Sequence, residues 1–293
     1  ILQPILEKSG LKVGRDFSLA FCPERIDPGN KRFTVRDIPR VVGGVDKNST
    51  EKAVDFYKSI ISAEVVAVSS PKEAEAAKIM ENTFRDINIA FVNEMAKSFD
   101  KMGIDISEVI KGASTKPFAF MPHYPGCGVG GHCISVDPYY LIDQAGKSGF
   151  EHSFLKLARE INNSMPQYTI ERCLEGLKEA KLDVKKAKIS VLGLAYKPGV
   201  DDTRESPSYS IIEGLKELGA DVKSYDPYVA GDLKNLDEAL NCNCLILATA
   251  HDEFVGMDLE KVKKAGVKVI IDGRNVLDEQ KAKELKIVYK GIG

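Results

Sequence analysis

Lys188-Ile-Ser-Val-Leu-Gly193 opens the part of the chain from which the fold is read. It is an apolar, partly β-branched run closed by a glycine, the pattern of a buried strand and its turn. After a loop, the sequence predicts a helix over 206–218 that Gly219 terminates, and a strand from Ala220 to Asp226. A short helix over 235–241, a strand over 244–248, a helix over 258–265 and a strand over 267–272 continue the alternation. Strands alternating with helices predict a Rossmann-like doubly wound sheet with a ligand at its strand ends. The first turn, Gly193-Leu-Ala-Tyr-Lys-Pro198, is not Gly-x-Gly-x-x-Gly, which argues against a dinucleotide in this part.

Outward from there, toward the N-terminus, the pattern is helical. A helix over about 152–180, interrupted near Met165-Pro166, follows one running from Asp137-Pro138 to about 147. Before it stands Gly126-Cys-Gly-Val-Gly-Gly-His-Cys-Ile-Ser-Val-Asp-Pro138. Its glycines let a backbone lie against a ligand, and Asp137 reads as an N-cap with Pro138 at the first helical position. Cys133, between the glycines and a helix N-terminus, is a candidate nucleophile, since a helix end favours a thiolate. A glycine-rich turn with a small buried cysteine explains the stretch equally well.

The segment from Ser114 to His132 is irregular, with Phe118, Phe120 and Tyr124, and a run of this length inside a compact protein is functional or mobile. A helix over 105–112 and a long helix over 72–102 precede it. Ala76, Met80, Phe84, Ile87, Phe91 and Met95 form one apolar stripe on the long helix, and Lys78 and Asn82 share another face. By themselves the last two read as a solvated face. Phe17–Cys22, Arg40–Gly44 and Glu64–Val68 are expected strands, with a helix over 50–62 capped by Asn48 or Ser49 and a short helix over 1–9 ended by Gly10. Together these predict a thin parallel α/β sheet.

Bulk properties narrow the function classes. The 293 residues suit about two domains, and 41 basic against 43 acidic residues leave a net charge of -2. No global field therefore favours nucleic acid or an anionic membrane. No apolar run approaches the roughly 20 residues of a membrane span. Six scattered cysteines are not a disulfide framework, so a reducing, cytoplasmic setting is expected. Cys242-Asn-Cys244 lacks a second Cys/His pair nearby, and no metal is expected.

Four pieces occur in order: Cys22-Pro-Glu-Arg-Ile-Asp-Pro-Gly29, Lys78-Ile-Met-Glu-Asn82, Gly128-Val-Gly-Gly-His-Cys-Ile-Ser-Val-Asp-Pro138, and Gly193-Leu-Ala-Tyr-Lys-Pro198 with Asp201-Asp-Thr-Arg-Glu-Ser-Pro207. In this order they closely resemble the UDP-glucose/GDP-mannose dehydrogenase family, NAD-dependent four-electron oxidases of nucleotide sugars. The resemblance covers essentially the whole chain. It implies three parts: a remainder of an N-terminal NAD-binding Rossmann domain (1–71), a central helical dimerisation and catalytic domain (72–184) and a C-terminal Rossmann-like UDP-binding domain (185–293). It also implies a homodimer formed through the 72–102 helix.

The resemblance makes Cys133 the nucleophile that carries a thiohemiacetal and then a thioester. Lys78 and Asn82 are implied to hold the oxyanion. Asp137 matches the carboxylate that helps activate water, a role compatible with capping, and Glu24 matches the loop glutamate assigned to water positioning and base work. The UDP-glucose branch has a second glutamate where this chain has Pro28, so its role is not carried over. Lys197 and Arg274 match basic residues that hold the UDP portion, and Arg204 matches an arginine that reaches NAD. Phe118, Phe120 and Gly130 fall in stretches that contact the substrate.

Val136 stands where the UDP-glucose branch usually has lysine, and with His132 it points to a UDP-N-acetylhexosamine. The Pro23–Gly29 and Ile38–Gly44 stretches favour UDP-N-acetylglucosamine; UDP-N-acetylmannosamine and UDP-glucose are the alternatives. The chain opens Ile-Leu-Gln-Pro, with neither an initiator Met nor a signal peptide, and the family's Gly-x-Gly-x-x-Gly domain has no counterpart before Pro23. The expectation is a truncated fragment that does not turn over. The rival reading is a non-catalytic module that binds nucleotide sugars and dimerises.

Overall fold

A computed structural model describes residues 1–30 and 32–293. The chain divides into two compact units, Ile1–Asn82 and Thr83–Gly293.

The first unit starts with α1 (Leu2–Leu6) and a 3-10 turn that ends at Gly10, whose φ of 90° suits glycine. Its sheet contains β1 (Ala20–Phe21), β2 (Arg40–Gly44) and β3 (Val65–Val68), in that order. Only β2 and β3 are parallel. The strand expected over 17–22 shrinks to two residues paired antiparallel with β2, because Phe17 is instead held in a bridge to Val13 and Phe21 is exposed. Between β2 and β3 runs α2 (Lys47–Lys58). Its cap is neither Asn48 nor Ser49. Asp46 takes that place, its carboxylate accepting the Ser49 N–H at 2.7 Å.

Helix α3 (Pro71–Met102) is followed by α4 (Ile106–Ala113), capped by Asp105. No helix or strand interrupts 114–136; then come α5 (Asp137–Lys147), α6 (Ser153–Asn163) and α7 (Met165–Glu179), the last two separated at Ser164. The C-terminal part runs β4 (Lys188–Leu192), α8 (Pro207–Glu217), β5 (Asp221–Tyr225), α9 (Leu236–Ala239), β6 (Cys244–Leu247), α10 (Leu259–Lys264), β7 (Val269–Asp272), α11 (Glu279–Glu284) and β8 (Val288–Gly291).

These five strands form one parallel sheet in the order β5-β4-β6-β7-β8. The order reverses between β4 and β6, the kind of switch point at which open α/β sheets bind ligands. Alternate residues serve two cores. Ile189, Val191, Ile246, Val269 and Ile271 pack with Ile170, Cys173 and Leu177 of α7 and Ile211 and Leu215 of α8. Leu192, Leu245, Leu247 and Ile270 pack with Phe254, Leu259 and Val262 on the opposite face. Burying each such side chain contributes about 1.5–3 kcal/mol. Helix α7 thus belongs to the sheet's core as well as to the helical region. Cys244 lies in the first core, its sulfur 3.7 Å from that of Cys173, while Cys242 lies in the second. Their separate burial keeps them from converging on one ligand.

Helix α3 buries polar side chains beside its apolar Ala90, Val92 and Ala96, and leaves several large apolar ones outside. Thr83, Asp86 and Asn93 are buried, whereas Met80, Phe84 and Phe91 of the apolar stripe are 73%, 48% and 56% exposed. Among the described residues no helix is long and apolar enough to cross a membrane.

Candidate active site

Around Cys133 the backbone starts turning before α5 begins. Asp137 N–H donates to the Cys133 carbonyl at 2.8 Å, and Tyr139 N–H to that of Val136 at 2.9 Å. Pro138, between them, has no N–H to offer. No early donor is left for a capping side chain, so Val136 stands at the N-cap and Asp137 is the first helical residue. The expected cap is therefore corrected. The Asp137 carboxylate instead lies in the first turn, where the helix dipole favours its charge.

The glycines of 126–131 serve close approach. Gly126 N–H donates to Asn93 Oδ1 at 3.0 Å, and a side chain at Gly126 would overlap the Arg274 guanidinium. A Cβ on Gly130 would lie 2.7 Å from Tyr196 Cβ and 2.8 Å from the Glu205 carbonyl. Gly131, at φ 82°, donates its N–H to the Arg204 carbonyl at 2.9 Å. Gly126, Gly128 and Gly131 match the letters Gly-x-Gly-x-x-Gly, but they leave an irregular segment rather than a strand and pack against protein. Cys127 is buried there, and desolvation raises its thiol pKa.

Cys133 is half-buried, with its Sγ 3.4 Å from His132 Nε2. Beside this pair, Arg204 Nε and Nη2 donate to the two carboxylate oxygens of Asp202 at 2.9 and 2.6 Å. This fork brings the Asp202 pKa down to about 2, with the charge of His132 among the smaller causes. The guanidinium's own pKa is raised, chiefly by Asp202, with Tyr196 and the Cys133 sulfur adding to it. Cys133, Gly130 and Arg204 are thus brought together with His132, Asp202 and Tyr196.

The loops at the strand ends are fixed by buried acids. Asp226 Oδ2 accepts the N–H groups of Leu194 and Ala195 at 2.6 and 2.9 Å and faces His251 Nε2 at 3.0 Å. Gly199 N–H donates to His251 Nδ1 at 3.2 Å. This holds both ends of the loop that carries the half-buried Lys197. Burial raises the Asp226 pKa, but His251 and the backbone donors outweigh it and hold the carboxyl far below the usual range. Asp272 does the same for the turn carrying Arg274, accepting the N–H groups of Arg274, Val276 and Leu277 at 3.0, 2.8 and 2.7 Å. Phe118 is exposed, with Lys116 Nζ 5.0 Å from its ring centroid, and Phe120 lies beyond Ala119, which has φ 61°.

In the first unit, Glu24 Oε1 accepts from the N–H groups of Arg25 and Ile26 at 2.7 and 2.6 Å and from buried Arg40 at 3.1 Å. Partial burial opposes ionisation, but these donors win and keep the carboxyl pKa below its ordinary value. Lys78 and Asn82 are half-buried, one turn apart on α3, and between them Glu81 pairs with Arg25 at 2.9 Å.

Residues 72–164 match the family model of the UDP-glucose/GDP-mannose dehydrogenase central domain, and 190–279 that of its UDP binding domain. A UDP-N-acetyl-D-glucosamine 6-dehydrogenase of Pseudomonas aeruginosa is 37% identical over 95% of this chain and 68% of its own length. The chain belongs to the UDP-glucose/GDP-mannose dehydrogenase family. Another member, the UDP-N-acetyl-D-mannosamine dehydrogenase of Methanococcus maripaludis, is 38% identical over 94% of the chain, which spans 64% of that relative's length. The solved structure of UDP-D-ManNAc dehydrogenase from Pyrococcus horikoshii, at 36% identity, superposes with a TM-score of 0.91 over 99% of this chain and 68% of the other.

Arg204 is exposed and engaged by Asp202. Among the described residues no strand leads through Gly-x-Gly-x-x-Gly into a helix. Sequence reasoning missed the Asp226–His251 pair, whose members are 25 residues apart, and Asp272 as a turn anchor. In the sequence His132 bears on sugar preference, and its place beside Cys133 is equally visible there.

Proposed function

We propose that the protein acts in the NAD-dependent oxidation of the C6 alcohol of a UDP-N-acetylhexosamine to the uronic acid, with Cys133 as nucleophile. The observation that carries this reading is the seating of the 126–133 loop against Tyr196, Glu205 and Arg274 at the strand ends of the C-terminal sheet. The thiol is half-buried, and the close-packed glycines of the same loop leave it little freedom to drift, which supports a nucleophile held beside the strand ends.

In this reading Lys197 and Arg274 hold the diphosphate, and Phe118, Phe120 and Gly130 flank uridine and sugar. The Cys133 thiolate adds to the C6 aldehyde, forming the C–S bond as the carbonyl electron pair moves to oxygen. Lys78 and Asn82 hold that oxyanion, where one donor is worth roughly 3–4 kcal/mol. Asp137 and Glu24 orient the water that releases the acid from the thioester. NAD, when bound with the help of Arg204, supplies the hydride acceptor. Residues 72–184 serve as the catalytic helical region and 185–293 as the UDP-binding region, with 1–71 on the cofactor side. The exposed stripe of α3 supports a homodimer through that helix.

Relatives of nearly equal identity carry both N-acetylmannosamine and N-acetylglucosamine names, so similarity does not separate the two sugars. The protein as its gene encodes it is to be given UDP-GlcNAc, UDP-ManNAc or UDP-glucose with NAD, and products analysed side by side. An N-acetylhexosaminuronate with two NADH per sugar, abolished in Cys133→Ser, is expected. Undiminished uronate formation by Cys133→Ser would end the nucleophile assignment.

A further inference from the structure

For Cys133 to act as nucleophile, its thiol proton must pass to an acceptor. An ordinary thiol, with a pKa near 8.5, is mostly protonated at neutral pH, and only the thiolate attacks carbon. Several charged or titratable groups surround the loop. They are Asp202, Arg204 and Glu205 on the turn before α8, Tyr196 on the loop after β4 and Asp137 at the start of α5. Asp202 is a poor acceptor because both of its oxygens are engaged by Arg204. Arg204 has no lone pair to offer. The imidazole of His132 differs from both, with Nε2 3.4 Å from Sγ, within the reach of an S–H···N hydrogen bond.

We propose that His132 is the catalytic base for Cys133, an inference that rests on the nucleophile reading above. The S–H bond breaks, its electron pair stays on sulfur, and the proton passes to Nε2, giving a thiolate–imidazolium pair. This requires the neutral ring to carry its proton on Nδ1 beforehand. Asp202, within electrostatic reach of His132, is a counter-charge for the cation that forms. Arg204 lies within reach of the sulfur and favours the anion. The Asp202–Arg204 pair thus brings one charge of each sign within electrostatic reach of the Cys133–His132 couple. In the reverse direction, when the thioester is cleaved, the same imidazolium returns its proton to the leaving sulfur.

The test reads the thiol directly and requires no turnover. The rate of iodoacetamide alkylation at Cys133, followed by peptide mass spectrometry, is to be measured from pH 5 to 10 in the wild type, His132→Gln and His132→Ala. The rate at Cys22, the other half-buried thiol, serves as a folding control. The wild type is expected to react below pH 8, and both variants only as a free thiol ionises, a loss of about tenfold at pH 7 for each unit of displaced midpoint. Superimposable pH profiles with an unchanged Cys22 rate would overturn the role of His132 and leave Cys133 as nucleophile intact. A wild-type Cys133 inert across the whole range would overturn the nucleophile reading itself, and this inference with it.

Discussion

Replacing Arg159 by methionine tests whether the buried network behind the glycine loop carries its charges as the geometry requires. Arg159 on α6 and Asp86 on α3 are 3% and 1% exposed and meet at 2.6 Å. Asn162 Nδ2 donates to the same carboxylate at 2.8 Å, Asn93 Nδ2 to Asn162 Oδ1 at 2.9 Å, and Gly126 N–H to Asn93 Oδ1 at 3.0 Å. Burial raises the Asp86 pKa and Arg159 opposes it. Without the guanidinium, the carboxyl is driven to take up a proton. Holding a group with an ordinary value of 3.8 neutral at pH 7 costs about 4 kcal/mol, in line with the roughly 3–5 kcal/mol of a broken buried pair.

The sign follows from linkage. The variant's folded state binds a proton that its unfolded state has released, so stability falls as pH rises above the unfolded value. The loss should shrink to about 2 kcal/mol at pH 5. Urea unfolding followed by circular dichroism at both pH values measures it. The double variant Asp86→Leu/Arg159→Met should return to within about 1 kcal/mol of the wild type or better. A single-variant loss below about 1 kcal/mol at pH 7, or an equal loss at both pH values, would refute the reasoning.

Two further expectations concern the surface. A thiol reagent should titrate Cys22 and Cys133 in the native protein, and the buried Cys127, Cys173, Cys242 and Cys244 only on unfolding; fast reaction of a third thiol contradicts the burial. The proposed dimer should sediment as such at micromolar concentration, and Phe84→Glu with Phe91→Glu should give a monomer; a wild-type monomer counts against it.

The C-terminal sheet was legible because strands buried on both faces are almost continuous apolar runs. Val288-Tyr-Lys-Gly291, half-buried on the sheet's edge, has no such run, and neither that strand nor α11 before it is legible in the sequence. Asp137 looked like a cap because local sequence does not show that Val136 and Cys133 carbonyls already serve the first donors. The stripe on α3 was plain as a stripe, but the buried polar face opposite depends on Arg159 and Asn162, some 70 residues away. In the sequence the glycines of 126–131 suggest freedom for a ligand, whereas the structure uses them to admit Tyr196, Glu205 and Arg274.

That last packing has a consequence for the order in which the molecule matures. Cys127 and Gly273, which touch across the base of the loop, are 146 residues apart in the chain. During synthesis the whole C-terminal sheet up to β7 must emerge and fold before the loop acquires its walls, so the contacts around the thiol are among the slowest to close. A ribosome-bound intermediate would carry these cysteines unshielded, and protection of Cys127 from a thiol reagent would serve as a clock for completion of the fold.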